Sequence, residues 1–149
     1  MIKLEDVVYS AILLSQECNI KLKDYTKSIF QFLGSSTLYC NHVTLAFEQD
    51  VTSEHIRNVG VAVKALVPTE LLIGTNGAAG LFFDRHQLDI RGIPFAGKYP
   101  HLSLLCPAMM PPKEIGFLPD LEHFHFPVDH RLAIDGVVSA FMKDGSWQS

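Results

Sequence analysis

The chain has 149 residues, 48% of them apolar and 19% charged, with a formal net charge of −4 at pH 7. That length suits one domain with a buried core, and the composition excludes a disordered or low-complexity protein. A net negative chain also lacks the basic surface that holds long nucleic acid non-specifically, so an RNA terminus or a small nucleotide suits it better than a long duplex.

Cys18, Cys40 and Cys106 are odd in number and show no Cys-x-x-Cys spacing, so they are expected to be reduced thiols of an intracellular protein. Acidic residues interrupt Met1–Asp6, which therefore does not have the form of a signal peptide. No apolar run reaches the roughly 18–20 residues that span a bilayer. The expectation is a soluble cytoplasmic protein that makes no membrane contact.

The apolar run from Val7 to Leu14 is expected to be a central strand, although periodicity alone does not separate it from a helix. Leu22, Tyr25, Ile29 and Leu33 fall at helical intervals, and Gly34 is a suitable stop. Ser35-Ser36-Thr37 then leads into a strand carrying His42. Thr52 offers a cap for a short helix ending near Gly60. Val61, Val63, Ala65 and Val67 alternate as in a strand, and residues 70–84 are expected to form a hairpin about Asn76-Gly77. The stretch from Arg91 to Lys98 has the composition of a loop. A second His-bearing strand follows, then a brief helical turn opened by Pro111-Pro112, and a last strand through Val137, Val138 and Phe141. This order indicates an α+β fold with an antiparallel or mixed sheet.

Two triplets echo each other in that pattern. His42-Val43-Thr44 and His101-Leu102-Ser103 both sit in apolar runs, about sixty positions apart. Strand side chains alternate between faces, so each histidine shares a face with its hydroxyl residue while Val43 and Leu102 turn to the core. Two such strands lining one space would bring together two imidazoles and two hydroxyls. Metal-free phosphodiester cleavage needs a base, an acid and donors for the phosphoryl oxygens. Histidine is the side chain whose ordinary pKa lets one copy be neutral and another cationic near neutrality.

The paired motifs resemble the 2H phosphoesterase superfamily. More narrowly, the chain resembles the C-terminal cyclic phosphodiesterase domain of plant and fungal tRNA ligases. The pieces that carry this likeness are His42-Val43-Thr44-Leu45-Ala46, Val67-Pro68 to Leu72, Pro100-His101-Leu102-Ser103, Pro112-Lys113-Glu114 with Leu118-Pro119, and Leu132 through Asp135-Gly136-Val137-Val138. The resemblance implies a single domain over residues 1–149. It would be two-lobed and pseudo-symmetric, with mainly antiparallel sheets around a central cleft and a few helices outside. It implies hydrolysis of RNA 2′,3′-cyclic phosphate ends to a 2′-phosphate and a 3′-hydroxyl, in RNA repair or processing, with no metal or other cofactor. By position, His42 and His101 become the acid–base pair, and Thr44 and Ser103 the phosphate donors. The implied partners are RNA 3′ ends or small cyclic-phosphate nucleotides, with a separate RNA ligase or kinase. Ser103 stands where that family more often has Thr. The chain is expected to stand alone, without ligase or kinase domains, so its pathway need not be tRNA splicing.

Tyr9, Phe95, Tyr99 and Trp147 are candidates for stacking on a base, and Lys98 or Arg91 for steering a phosphate. Three other readings remain. The same site would equally cleave a 2′-5′-linked or cyclic oligonucleotide signal. A non-catalytic RNA- or nucleotide-binding module would keep the cleft without turnover. A metal-dependent hydrolase would use His123, His125, Asp129 and His130, a grouping similar to the His-x-His-x-Asp-His motif of metallo-β-lactamases, although Phe126, Pro127 and Val128 break its spacing. His123, His125 and His130 are otherwise expected at the surface beside a turn, with His55 and His86 also exposed.

Overall fold

A computed structural model describes residues 1–30, 36–128 and 130–149, His130 by its backbone alone. Among the described residues the fold is α+β, with ten strands in one antiparallel sheet and a few short helices. No helix among them is long and apolar enough to cross a membrane.

β1 (Val7–Leu14) is the apolar run at the start of the chain, and it pairs on both edges, with β3 (His42–Phe47) and β9 (Ile134–Met142). Side chains on both of its faces are buried or half-buried, so the run does not alternate in polarity and its period is ambiguous in the sequence. α1 (Gln16–Ile29) starts earlier than the Leu22 spacing suggests, because the Ser15 hydroxyl accepts the Cys18 amide at 3.2 Å and caps it. Its buried stripe is Cys18, Leu22 and Thr26, spaced by four. The helix closes at Phe30, before the expected stop; Leu33 and Gly34 lie outside the described residues.

β2 (Thr37–Leu38) lies beside β7 (His101–Cys106). α2 (Ser53–Arg57) is capped by Thr52 as expected, but His55 is not exposed. Its Nδ1 accepts the Thr52 amide at 3.0 Å, which closes a capping box and leaves the ring only 3% exposed. β4 (Ala62–Leu66) departs from simple alternation. Ala65 takes a positive φ of 51°, the register slips between Val63 and Leu66, and Val61 and Val67 end up at the surface. The Asp135 carboxylate holds the Ala65 amide at 2.8 Å and stabilises that bulge.

β5 (Glu70–Gly74) and β6 (Ala79–Phe82) form the expected hairpin, and α3 (His86–Asp89) follows with His86 exposed. The Pro111-Pro112 turn is longer than expected: a 3-10 run covers Pro112–Asp120 and buries Ile115 and Leu118. β8 (His123–Pro127) is a strand on the edge of the sheet, and β10 (Trp147–Gln148) forms the other edge.

The strand order is β10-β9-β1-β3-β7-β6-β5-β8, with β4 beside β9. β3 and β7 therefore sit in the middle, where the two halves of the sheet meet. Val43 faces Leu102 across that seam, and both are fully buried. Burying a side chain of this size is worth about 1.5–3 kcal/mol, so this pair anchors the seam from below.

Candidate active site

The alternation expected of the two triplets is present. In β3, His42 and Thr44 are half-buried while Val43 and Leu45 are buried; in β7, His101 and Ser103 match them against Leu102 and Leu104. Because the strands are antiparallel with Val43 opposite Leu102, Thr44 falls opposite His101. His42 falls towards Ser103. The triplets are thus crossed, each histidine nearest the other strand's hydroxyl, with the imidazoles on the diagonal of one face.

Beyond Val43 the strands part. The Ala96 amide donates to the Leu45 carbonyl at 2.8 Å, so the loop before β7 takes the place of further β3–β7 pairing. On the other side Cys40 adopts a positive φ of 59°, and its amide bonds the Ser103 carbonyl at 2.9 Å. That bulge turns Asn41 and His42 over the face. A cleft of about 380 Å³ opens there, lined among others by His42, Thr44, His101, Ser103, Tyr9 and Lys113. It extends in two directions. One arm passes Phe95, Lys98, Tyr99 and Phe117, and the other passes Asn19, Asn41, Gln16 and Trp147.

Each imidazole is held by an aromatic ring from the neighbouring strand of its own half. Tyr9 of β1 stacks on His42 with centroids 5.2 Å apart, and Phe82 of β6 stacks on His101 at 5.5 Å. Trp147 approaches His42 from a third side at 5.8 Å. Nδ1 of His101 lies 3.0 Å from the Tyr99 carbonyl. A carbonyl only accepts, so that nitrogen carries the hydrogen and Nε2 is left for the cleft. Nδ1 of His42 is buried without a partner among the described residues. An unmet polar atom of this kind costs about 1–3 kcal/mol, and Ser10 Oγ and His55 Nε2 share that status.

Burial lowers the pKa of both rings. That of His42 falls to about 4, first through burial and then through the charge on His101. That of His101 is lowered by burial and partly restored by the Tyr99 carbonyl, which favours its cation. The Tyr99 carbonyl gives the His101 cation a hydrogen-bond partner, and His42 Nδ1 has none among the described residues.

The remaining expected residues divide. Tyr9 and Trp147 lie at the cleft with His42, and Tyr99 lies in the opposite arm. Phe95 lines that arm from the core, 9% exposed, with the Arg85 guanidinium 5.4 Å above its ring. Lys98 is at the arm's rim but paired to Asp120 at 2.7 Å, and Tyr99 donates to the same carboxylate. Arg91 lies away from the cleft and donates to the carbonyls of Lys64 and Ala65. His123 and His125 lie on β8, with His125 exposed and 3.7 Å from the Glu70 carboxylate. Asp129 and the His130 side chain fall outside the described residues, and no three metal-ligating groups converge among the rest.

Two residues of the 3-10 run complete the site without having been singled out. Lys113 lines both the central cleft and one arm, and makes no ion pair among the described residues. Its only signal was a place in the Pro-Lys-Glu piece. Gly116 lies against the His101 ring, and nothing local in the chain marked it. No protein-family model matches the chain, and no curated protein matches it.

Proposed function

We propose that the protein is a phosphodiesterase of the 2H type that hydrolyses RNA 2′,3′-cyclic phosphate ends without a metal, using His42 and His101 as base and acid. The crossed placement of the two triplets over one cleft carries this reading. The sheet order supports the pseudo-symmetric arrangement. Each half contributes one His strand, flanked by a strand that supplies the ring stacked on that histidine.

In the proposed reaction neutral His42 removes a proton from water as the water attacks phosphorus. The P–O3′ bond breaks opposite the new P–O bond, and protonated His101 delivers its Nε2 proton to the departing O3′. The product is a 2′-phosphate and a 3′-hydroxyl, and the two rings exchange protonation states through solvent before the next turnover. Thr44 and Ser103 donate to the non-bridging oxygens, and Lys113 offsets their charge. Acid–base help is worth about 10²–10⁴-fold, with placement and donors contributing the rest.

The two arms favour a second reading, cleavage of a 2′-5′-linked or cyclic oligonucleotide with a nucleoside on each side of the phosphate. One assay decides between them. The protein is incubated with a 2′,3′-cyclic nucleotide, a 2′-5′ dinucleotide and a cyclic dinucleotide, each with and without chelator, and the products are identified. Turnover of none of them overturns both readings, and chelator-sensitive turnover overturns the metal-free mechanism.

A further inference from the structure

The arm beside His42 carries a hydrogen-bonding pattern that the phosphate chemistry does not use. Asn19, on α1, donates one amide hydrogen to the Cys40 carbonyl at 2.7 Å and the other to Asn41 Oδ1 at 3.0 Å. These contacts fix both carboxamides. A carbonyl only accepts, so the nitrogen of Asn19 must face Cys40, and the atom it meets on Asn41 must be the oxygen. Both hydrogens of Asn41 Nδ2 and the Asn19 Oδ1 lone pairs are then left over, and neither atom makes another hydrogen bond among the described residues. An acceptor on Asn19 and a donor on Asn41, their identities settled by these bonds, thus belong to two residues that line one recess with Gln16 and Trp147.

We propose that this recess binds a nucleobase by its edge, with Asn19 Oδ1 accepting from and Asn41 Nδ2 donating to neighbouring groups of the base while Trp147 flanks the ring. Nucleobases carry adjacent donors and acceptors on one planar edge, as adenine does with its N6 amino group and N7. A bare phosphate offers no donor, and the hydroxyls of a sugar bring no flat ring for Trp147 to flank. The Cys40 bulge that turns His42 over the cleft also supplies the carbonyl that orients Asn19, so one backbone feature sets both the phosphate centre and the base site. The location of the base relative to the scissile phosphate rests on the phosphodiesterase reading. The existence of the base site does not.

Trp147 is the only tryptophan of the chain, so its fluorescence reports on this recess directly. The intact protein is titrated with adenosine 2′-monophosphate and, separately, with ribose 5-phosphate, which has a phosphate but no base. Native protein is expected to bind the nucleotide at least about tenfold more tightly, with a change in Trp147 emission. Asn41→Asp keeps the oxygen that Asn19 needs but replaces the outward donor with an acceptor. Its added charge weakens both ligands alike, so the informative quantity is the ratio, expected to fall to about threefold or less, with circular dichroism confirming the fold. Equal binding of both ligands by the native protein, or an unchanged ratio in Asn41→Asp, overturns the proposal. Turnover of adenosine 2′,3′-cyclic phosphate is measured independently. Its absence alongside base-selective binding removes the phosphodiesterase reading and leaves the base site standing.

Discussion

Gly116 touches the imidazole of His101 so closely that a β-carbon built on it would lie 2.6 Å from Cε1 and 3.2 Å from either ring nitrogen. With Phe82 stacked on the ring and the Tyr99 carbonyl on Nδ1, it leaves His101 a single orientation. Gly116→Ala is therefore expected to push the ring off its mark. Misplacement of about 1 Å costs on the order of 10²-fold in rate, and the loss should fall on kcat more than KM. Kinetics together with a melting curve checks this. Full activity in Gly116→Ala would remove Gly116 from the positioning of His101.

His42→Ala and His101→Ala are each expected to abolish turnover while the protein stays folded, since both rings stand on the cleft face and the seam below them is Val43 and Leu102. The expected deficit is about 10²–10⁴-fold for either one. Their combination should cost little more, because base and acid act as a unit. A cyclic-phosphate assay on purified variants decides it, and substantial activity in either single variant would sink the two-histidine mechanism.

The pH profile follows from the lowered pKa values. In the free protein, His42 must have lost its proton, which happens above about 4, and His101 must keep one, which holds only below a value under the ordinary 6.5. The kcat/KM profile should then be a bell centred on the acid side of pH 6.5, its limbs belonging to the coupled pair. An anionic phosphate in the cleft favours both cations, so the kcat profile should lie at higher pH. A kcat/KM that rises steadily to pH 8 contradicts this.

Stability should respond to the same groups. His42, His55 and His101 all have pKa values lowered mainly by burial. Between their folded values and 6.5 the unfolded chain binds more protons, so stability rises with pH through that window. Their contribution is fully present above pH 6.5 and is lost as pH falls through the folded value of each, about 4 for His42. Chemical denaturation at pH 7, 6, 5 and 4 measures the slope. The His55→Gln variant should show a shallower one, and an equal slope would mean that His55 is not held neutral by the fold.

Lys113 and Lys98 should behave differently although both lie near the cleft. Lys98 is neutralised by Asp120, and that pair is exposed, so it is worth little. Among the described residues Lys113 has no such partner, and it borders both the centre and one arm. Lys113→Ala is expected to raise KM several-fold and to weaken its dependence on salt, with Lys98→Ala nearer to native. Steady-state kinetics at two ionic strengths checks both, and a larger effect from Lys98→Ala would reverse the assignment.

What could be read from the chain alone was what local chemistry decides. Period-two alternation told which face of each His strand carries imidazole and hydroxyl, and which faces the core. Asn76-Gly77 marked its hairpin, and Thr52 marked its helix cap. Other features arise where distant segments meet. Whether His42 would lie near His101 depended on the pairing of Val43 with Leu102. Gly116 acquires a role only because the 3-10 run folds onto β7, and His55 is buried by the backbone it caps. The Asn19–Asn41 pair joins a helix to a bulge more than twenty residues away. Composition and periodicity express preferences of neighbouring residues, whereas register and ring placement are set by contacts between segments remote in the chain, which close only when the sheet forms.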